Sequence, residues 1–100
     1  MKGRINMKHY IIVKLNEGIN KNDLVAPVTA IFEKTLEIAG IHSIKVKPCC
    51  IERPNRYDLM IEIEMDKEAL PAYDSSAPHK EWKETYGSMI AAKTIFDSED

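Results

Sequence analysis

Three polar aromatic side chains in this chain carry chemistry that needs no cofactor: His9, Tyr73 and His79. Imidazole is the usual general base near neutral pH, and a phenol can donate a hydrogen bond to a carbonyl oxygen as it gains negative charge. His9 sits in the run Lys8-His9-Tyr10-Ile11-Ile12-Val13-Lys14-Leu15, and His79 follows Pro78, six residues after Tyr73. If the segments holding them pack together, the three groups meet at one end of an apolar pocket. Such a site would orient a bound molecule. It could equally remove a proton next to a carbonyl, with His79 as base and Tyr73 or His9 holding the enolate oxygen.

The elements that must position these groups are legible as alternation and helical periodicity. Residues 8–15 read as a strand with His9, Ile11, Val13 and Leu15 on one face and Tyr10, Ile12 and Lys14 on the other. Asn16-Glu17-Gly18 signals a turn, and a helix follows from Asn22 or Asp23 to Ala39. Leu24, Val28, Ile31, Phe32, Thr35 and Ala39 recur along it at helical spacing. Pro27 interrupts the periodicity, and Gly40 suits the helix end. A second strand spans residues 41–50, with Ile44 and Val46 on one face and Ile41, Ser43 and Lys45 on the other. The third is the clearest, with Tyr57, Leu59, Ile61, Ile63 and Met65 on one face against Asp58, Met60, Glu62 and Glu64. A short helix from Asp66 to Tyr73, a helix from Pro78 to Gly87 and a strand from Met89 to Phe96 complete the order.

The order βαββαβ predicts an α+β fold: a ferredoxin-like plait, with a four-stranded antiparallel sheet and helices on one face. The other face would carry Tyr10, Ile12, Met60, Met89 and Ile95. An apolar face of that kind is expected to be covered, and a homodimer through the open sheet face would cover it. Asp58, Glu62 and Glu64 would share that face as a polar margin. No ligand pair at metal-binding spacing accompanies them, so neither a metal nor a cofactor is expected.

Composition sets the outer bounds. One hundred residues with 44% hydrophobic and 30% charged side chains make one domain with a modest core. A formal net charge of -2 with scattered lysines gives no electrostatic case for nucleic acid or an anionic membrane. No apolar run is long enough to span a bilayer, the start lacks a signal-type stretch, and a cytoplasmic protein is expected. Residues 1–7 read as a flexible N-terminal extension, with Met7 an alternative start, 8–97 as the domain, and 98–100 as a tail. Cys49 and Cys50 are adjacent; a bridge between neighbours strains the ring it closes, so two reduced thiols at a strand end are expected.

The opening run from Lys8 to Leu15, the Gly40-Ile41-His42-Ser43-Ile44 junction, and Tyr73 followed by Pro78-His79 and Trp82 together carry a family resemblance. The chain resembles the stress-responsive A/B-barrel (Dabb) family of the dimeric α+β barrel superfamily, over residues 8–97. Members typically read His-Pro-x-His before the last helix. Here Ser76-Ala77-Pro78-His79 fills that stretch, so the first histidine is replaced and the proline is displaced by one. The resemblance implies a homodimer and a small pocket in each subunit. Some members are polyketide cyclases, which implies a base role for His79 assisted by Tyr73. Similar pockets in the wider superfamily serve monooxygenases and isomerases.

These readings converge on a pocket between helices and sheet, lined by Ile11, Val13, Phe32, Leu59, Ile61 and Trp82, with His9, Tyr73 and His79 as its polar groups. The first expectation is binding of a small hydrophobic or aromatic molecule. The alternative is a cofactor-independent cyclase or isomerase acting on a polyketide-like carbonyl substrate, with a monooxygenase as a third reading.

Overall fold

A computed structural model of the chain describes residues 6–99. Four strands, β1 (Asn6–Leu15), β2 (Ile41–Pro48), β3 (Leu59–Asp66) and β4 (Ile90–Glu99), form one antiparallel sheet in the order β2-β3-β1-β4. Helix α1 (Lys21–Glu33) connects β1 to β2. Two further helices, α2 (Leu70–Asp74) and α3 (Ala77–Tyr86), connect β3 to β4. Each connection passes over the strand that separates its ends, which is the split βαβ arrangement of the ferredoxin-like plait. The α+β fold expected from the element order is the one observed.

Alternation in β1 and β3 builds the core. Met7, His9, Ile11, Val13 and Leu15 are buried on the helix side, as are Leu59, Ile61, Ile63 and Met65. Val28, Ile31 and Phe32 descend from α1, and Trp82 and Tyr86 from α3. Burying each large apolar side chain stabilises the fold by about 1.5–3 kcal/mol.

Helix α1 opens one residue before the expected start, because the Asn20 side chain accepts a hydrogen bond from the Asn22 backbone at 2.9 Å. Pro27 lies inside the helix; the carbonyl it leaves unmatched belongs to Asp23, which is exposed and can be hydrated. The helix is shorter than its periodicity suggests. It ends at Glu33 and tightens into a 3-10 turn over Lys34–Glu37, where the Thr35 hydroxyl donates to the Phe32 carbonyl at 2.6 Å. Gly40 follows with φ +92°, a conformation that disfavours other residues, and a Cβ there would lie 3.0 Å from the Ala69 Cβ.

Two bulges change which residues face the helices. In β2 the register slips between Ile41 and Ser43, so Ile41 pairs with Met65 and joins Ile44 and Val46 on the core side. In β4 the register slips opposite Lys14 and Leu15. Beyond that slip, Ile95 pairs with Ile11 on the helix side and Phe96 pairs with Tyr10 on the open face. The open face therefore presents Tyr10, Ile12, Met60 and Phe96. Ile95 belongs to the other side, and Met89 lies in the 3-10 turn before the strand.

The sheet reaches beyond the expected 8–97. Met7 is 3% exposed within β1, and β4 continues to Glu99, because the two outer ends pair as Met7 with Glu99. Residues 6, 7, 98 and 99 thus belong to the sheet, while the expectation for residues 1–5 falls outside the described residues. Cys49 and Cys50 are free thiols just beyond β2. Among the described residues, no helix is long and apolar enough to cross a membrane.

Candidate functional site

His9, near the start of β1, points its ring to the helix side and is 5% exposed. Its cross-strand neighbour in β4 is Asp97, and His9 Nδ1 donates to Asp97 Oδ1. A carboxylate only accepts, so this bond fixes the proton on Nδ1 and leaves Nε2 as the other ring nitrogen. Asp97 was not anticipated from the sequence. Its partnership depends on the β1–β4 register across 88 residues of chain, and no local pattern reports that.

Tyr73 lies in the short helix α2 and is fully buried. Its ring packs edge-on against His9, with centroids 5.3 Å apart, and lies 4.7 Å from the ring of His79. The three residues singled out from the sequence thus stand in one stack, with the phenol between the two imidazoles. The Tyr73 hydroxyl has no hydrogen-bond partner among the described residues. Burial first, and the negative charge of Asp74 second, push its pKa well above the ordinary phenol value. Tyr73 is therefore held as a neutral O–H donor, and a base must be sought elsewhere in the cluster.

His79 stands in the first turn of α3, which Ser76 caps by accepting the His79 backbone N–H at 3.3 Å. Its Nδ1 lies 2.9 Å from the Asp74 carbonyl oxygen. A backbone carbonyl cannot donate, so Nδ1 carries the proton here too. In the neutral ring the lone pair then lies on Nε2, the atom available to take a proton. His79 is half-buried and is the member of the stack nearest solvent.

The six residues expected to line a pocket are placed differently. Ile11, Val13, Phe32, Leu59, Ile61 and Trp82 are each 0–2% exposed and belong to the one core cluster, with Phe32 edge-on to Trp82 at 5.3 Å. They pack against one another as large buried side chains do. Surface clefts of about 670, 460 and 210 Å³ lie elsewhere and are lined by other residues. A ligand at the histidines would bind at the edge of this core.

The remaining candidates take structural positions. Asp58 Oδ2 accepts the Leu15 backbone N–H at 2.7 Å, so this acid secures the strand ends. Glu64 lies opposite Lys8 and Ser43, and Glu62 opposite Tyr10 and Lys45. Among the described residues no cluster of three or more histidine, cysteine or acidic side chains is placed to hold a metal ion. His42 Nε2 lies 2.8 Å from Oδ1 of the buried Asp66, a pair formed because the β2 bulge turns His42 toward the end of β3.

The buried hydroxyl has a consequence for stability. Tyr73→Phe removes a buried donor that has no partner, and such a group costs about 1–3 kcal/mol. The variant is expected to be more stable than the parent near neutral pH by about 1 kcal/mol. The gap should widen under alkali. A raised folded-state pKa means stability is intact below the ordinary phenol value and falls as pH climbs above it, and the variant lacks this loss. Urea unfolding of both proteins from neutral to strongly alkaline pH checks this. Parallel curves would mean that Tyr73 ionises as freely folded as unfolded.

No protein-family model matches this chain, and no curated protein matches it. Solved structures do. A dimeric ferredoxin-like protein of unknown function from Thermobifida fusca is similar at TM-score 0.80 and 15% identity, covering 97% of this chain and 92% of that one. Another dimeric protein of unknown function with a ferredoxin-like fold, from Bacteroides fragilis, is similar at TM-score 0.78 and 16% identity, covering 95% and 96%. The hydroxynitrile lyase from Passiflora edulis is similar at TM-score 0.74 and 10% identity, covering 98% and 95%. At these identities the likeness is one of fold: this chain has the ferredoxin-like α+β fold, one seen in dimeric proteins.

Proposed function

We propose that the chain is a cytoplasmic, homodimeric member of the stress-responsive A/B-barrel family that binds a small apolar or aromatic carbonyl compound at the His9–Tyr73–His79 stack. The observation that carries this reading is the buried Tyr73 hydroxyl, unpartnered between two imidazoles. A ligand carbonyl accepting from that hydroxyl supplies the missing bond, and the apolar core edge beside it favours a ligand with an apolar or aromatic body. No cofactor is required. The homodimer is supported by the apolar strip on the open sheet face, and the dimeric proteins that share the fold are compatible with it.

A second reading is favoured by the two anchored imidazoles. With Nδ1–H held by Asp74, His79 Nε2 can take a proton from the carbon next to a bound carbonyl. The C–H electron pair becomes the enolate double bond, and the carbonyl oxygen takes the negative charge against the Tyr73 O–H. Cyclisation or isomerisation of a polyketide-like substrate would use this step. A hydroxynitrile lyase on the same fold is compatible with proton-transfer chemistry there.

The test is a titration of the isotope-labelled protein with benzaldehyde and with ethyl acetoacetate, read by NMR at the imidazoles of His9 and His79. Saturable shifts at both rings, lost in Tyr73→Phe, are expected. Absence of any saturable shift at the two rings sinks the binding reading. For the second reading, exchange of the acetoacetate α-proton with deuterated solvent is measured in parallel. It should be accelerated by the parent and slowed by about two orders of magnitude or more in His79→Gln. Equal rates in parent and variant remove the catalytic role.

A further inference from the structure

At the opposite end of β1 from His9 a second site is built from charge. Lys14 lies five positions along the strand, roughly 17 Å away at about 3.3 Å per residue. It borders a cleft of about 670 Å³ between the start of α1 and the segment that joins β2 to β3. Four cations line the cleft, Lys14, Lys21, Arg53 and Arg56, against two acids, Glu52 and Asp58. This excess of positive charge is local, because the chain as a whole carries -2.

The cations are positioned rather than scattered. Arg53-Pro54-Asn55-Arg56 is a β-turn closed by the Arg56 N–H donating to the Arg53 carbonyl at 3.0 Å, with proline at the second position that favours it. The turn holds the two arginines at its two ends. Lys14 Nζ donates to the Arg56 carbonyl at 3.1 Å and ties the turn to the sheet. Arg56 spends one guanidinium N–H on the Asn55 side chain at 2.7 Å and keeps the other donors of its fork.

The acids do not neutralise this arrangement. Asp58 turns a carboxylate oxygen to the Leu15 backbone N–H. Glu52 lies 3.4 Å from Lys21 Nζ, yet its own side chain is 86% exposed while that of Lys21 is only 12% exposed. The Lys21 side chain is mostly covered while its acid partner is solvated, so this ion pair is weak and leaves Lys21 able to meet a second negative group in the cleft.

We infer that this cleft binds a small soluble anion bearing a phosphate group. Guanidinium forks match phosphate oxygens with paired donors, and Lys21 adds a point charge, so a multiply charged tetrahedral oxyanion fits better than chloride. The cleft is mostly polar in lining, which suits a free phosphorylated metabolite rather than a lipid tail. The site stands independently of the histidine stack.

The experiment is an amide NMR titration of the full chain with inorganic phosphate, at constant ionic strength set by sodium chloride. Saturable shifts confined to Lys14, the 19–22 segment and the 51–58 segment are expected. Binding should weaken about tenfold or more in Arg53→Gln/Arg56→Gln and in Lys21→Gln, and stay unchanged in Lys83→Gln on α3. The arginines lie on an exposed turn, and thermal unfolding of each variant confirms that it still folds. Equal shifts with chloride alone, or full binding in the double arginine variant, overturn the proposal. Association with vesicles containing phosphatidic acid, without saturable binding of soluble phosphate, also overturns it and assigns the charge to a lipid surface.

Discussion

Trp82→Ala is expected to lower the unfolding free energy by about 3–5 kcal/mol, with a fall in melting temperature on the order of 20 °C. The indole is 2% exposed and is the main wedge by which α3 enters the core. It stands edge-on to Phe32 of α1 at 5.3 Å and near Tyr86 at 5.8 Å, so its removal leaves a void bordered by both helices. Domains of this size hold only about 5–15 kcal/mol in total, so the loss is a large part of the margin. Urea unfolding followed by circular dichroism measures it. The same number separates two pictures of the interior. A side chain lining an empty pocket has already forfeited contacts on one face, and truncating it costs less. A loss near 1 kcal/mol would therefore mean that Trp82 borders an open pocket, as the sequence suggested, and does not pack as core.

That contrast shows where the sequence was informative. Alternation along Tyr57–Met65 and along Lys8–Leu15 located the two central strands, because each buries one face fully and leaves the other half-buried. Pro78 and Gly87 bracketed α3 to within a residue, since both act locally on the backbone. His9, Tyr73 and His79 could be proposed to meet, because the expected topology brings the start of β1 beneath the β3–β4 connection, and the structure places them in one stack.

The failures have separate physical causes. Asp97 fell just past the expected last strand and drew no attention, yet it is the partner of His9 through strand pairing at long range. Ile41 and Ile95 were assigned to the wrong faces because each lies beyond a bulge, and one inserted residue inverts every side chain that follows. Ile11, Val13, Phe32, Leu59, Ile61 and Trp82 were correctly read as facing the interior. A hydrophobic pattern tells which side chains turn inward, and it does not tell whether they leave a space between them.

Phe96→Glu is expected to convert the proposed homodimer into a folded monomer. Phe96 is 59% exposed, the most exposed large hydrophobic residue in β4, and its ring lies 6.2 Å from that of Tyr10 on the open face. Ile12 and Met60, paired across β1 and β3, continue the apolar strip, and the Lys8–Glu64 and Lys45–Glu62 positions border it with alternating charge. A carboxylate placed in a desolvated interface without a partner costs about 2–5 kcal/mol. Twofold symmetry places the change twice, so the dissociation constant should rise by about three orders of magnitude or more. Ile95→Glu is the informative control. Ile95 is 46% exposed and one residue away, yet its pairing with Ile11 puts it on the helix side of the sheet. It should leave the dimer intact. Sedimentation at micromolar concentration distinguishes the cases, with circular dichroism reporting that each variant is folded. A monomeric parent protein removes the dimer from the proposal. A dimer that survives Phe96→Glu but is broken by Ile95→Glu would move the interface to the helix-side edge of β4, where Asp97 meets His9, and would make the second subunit a neighbour of the histidine stack.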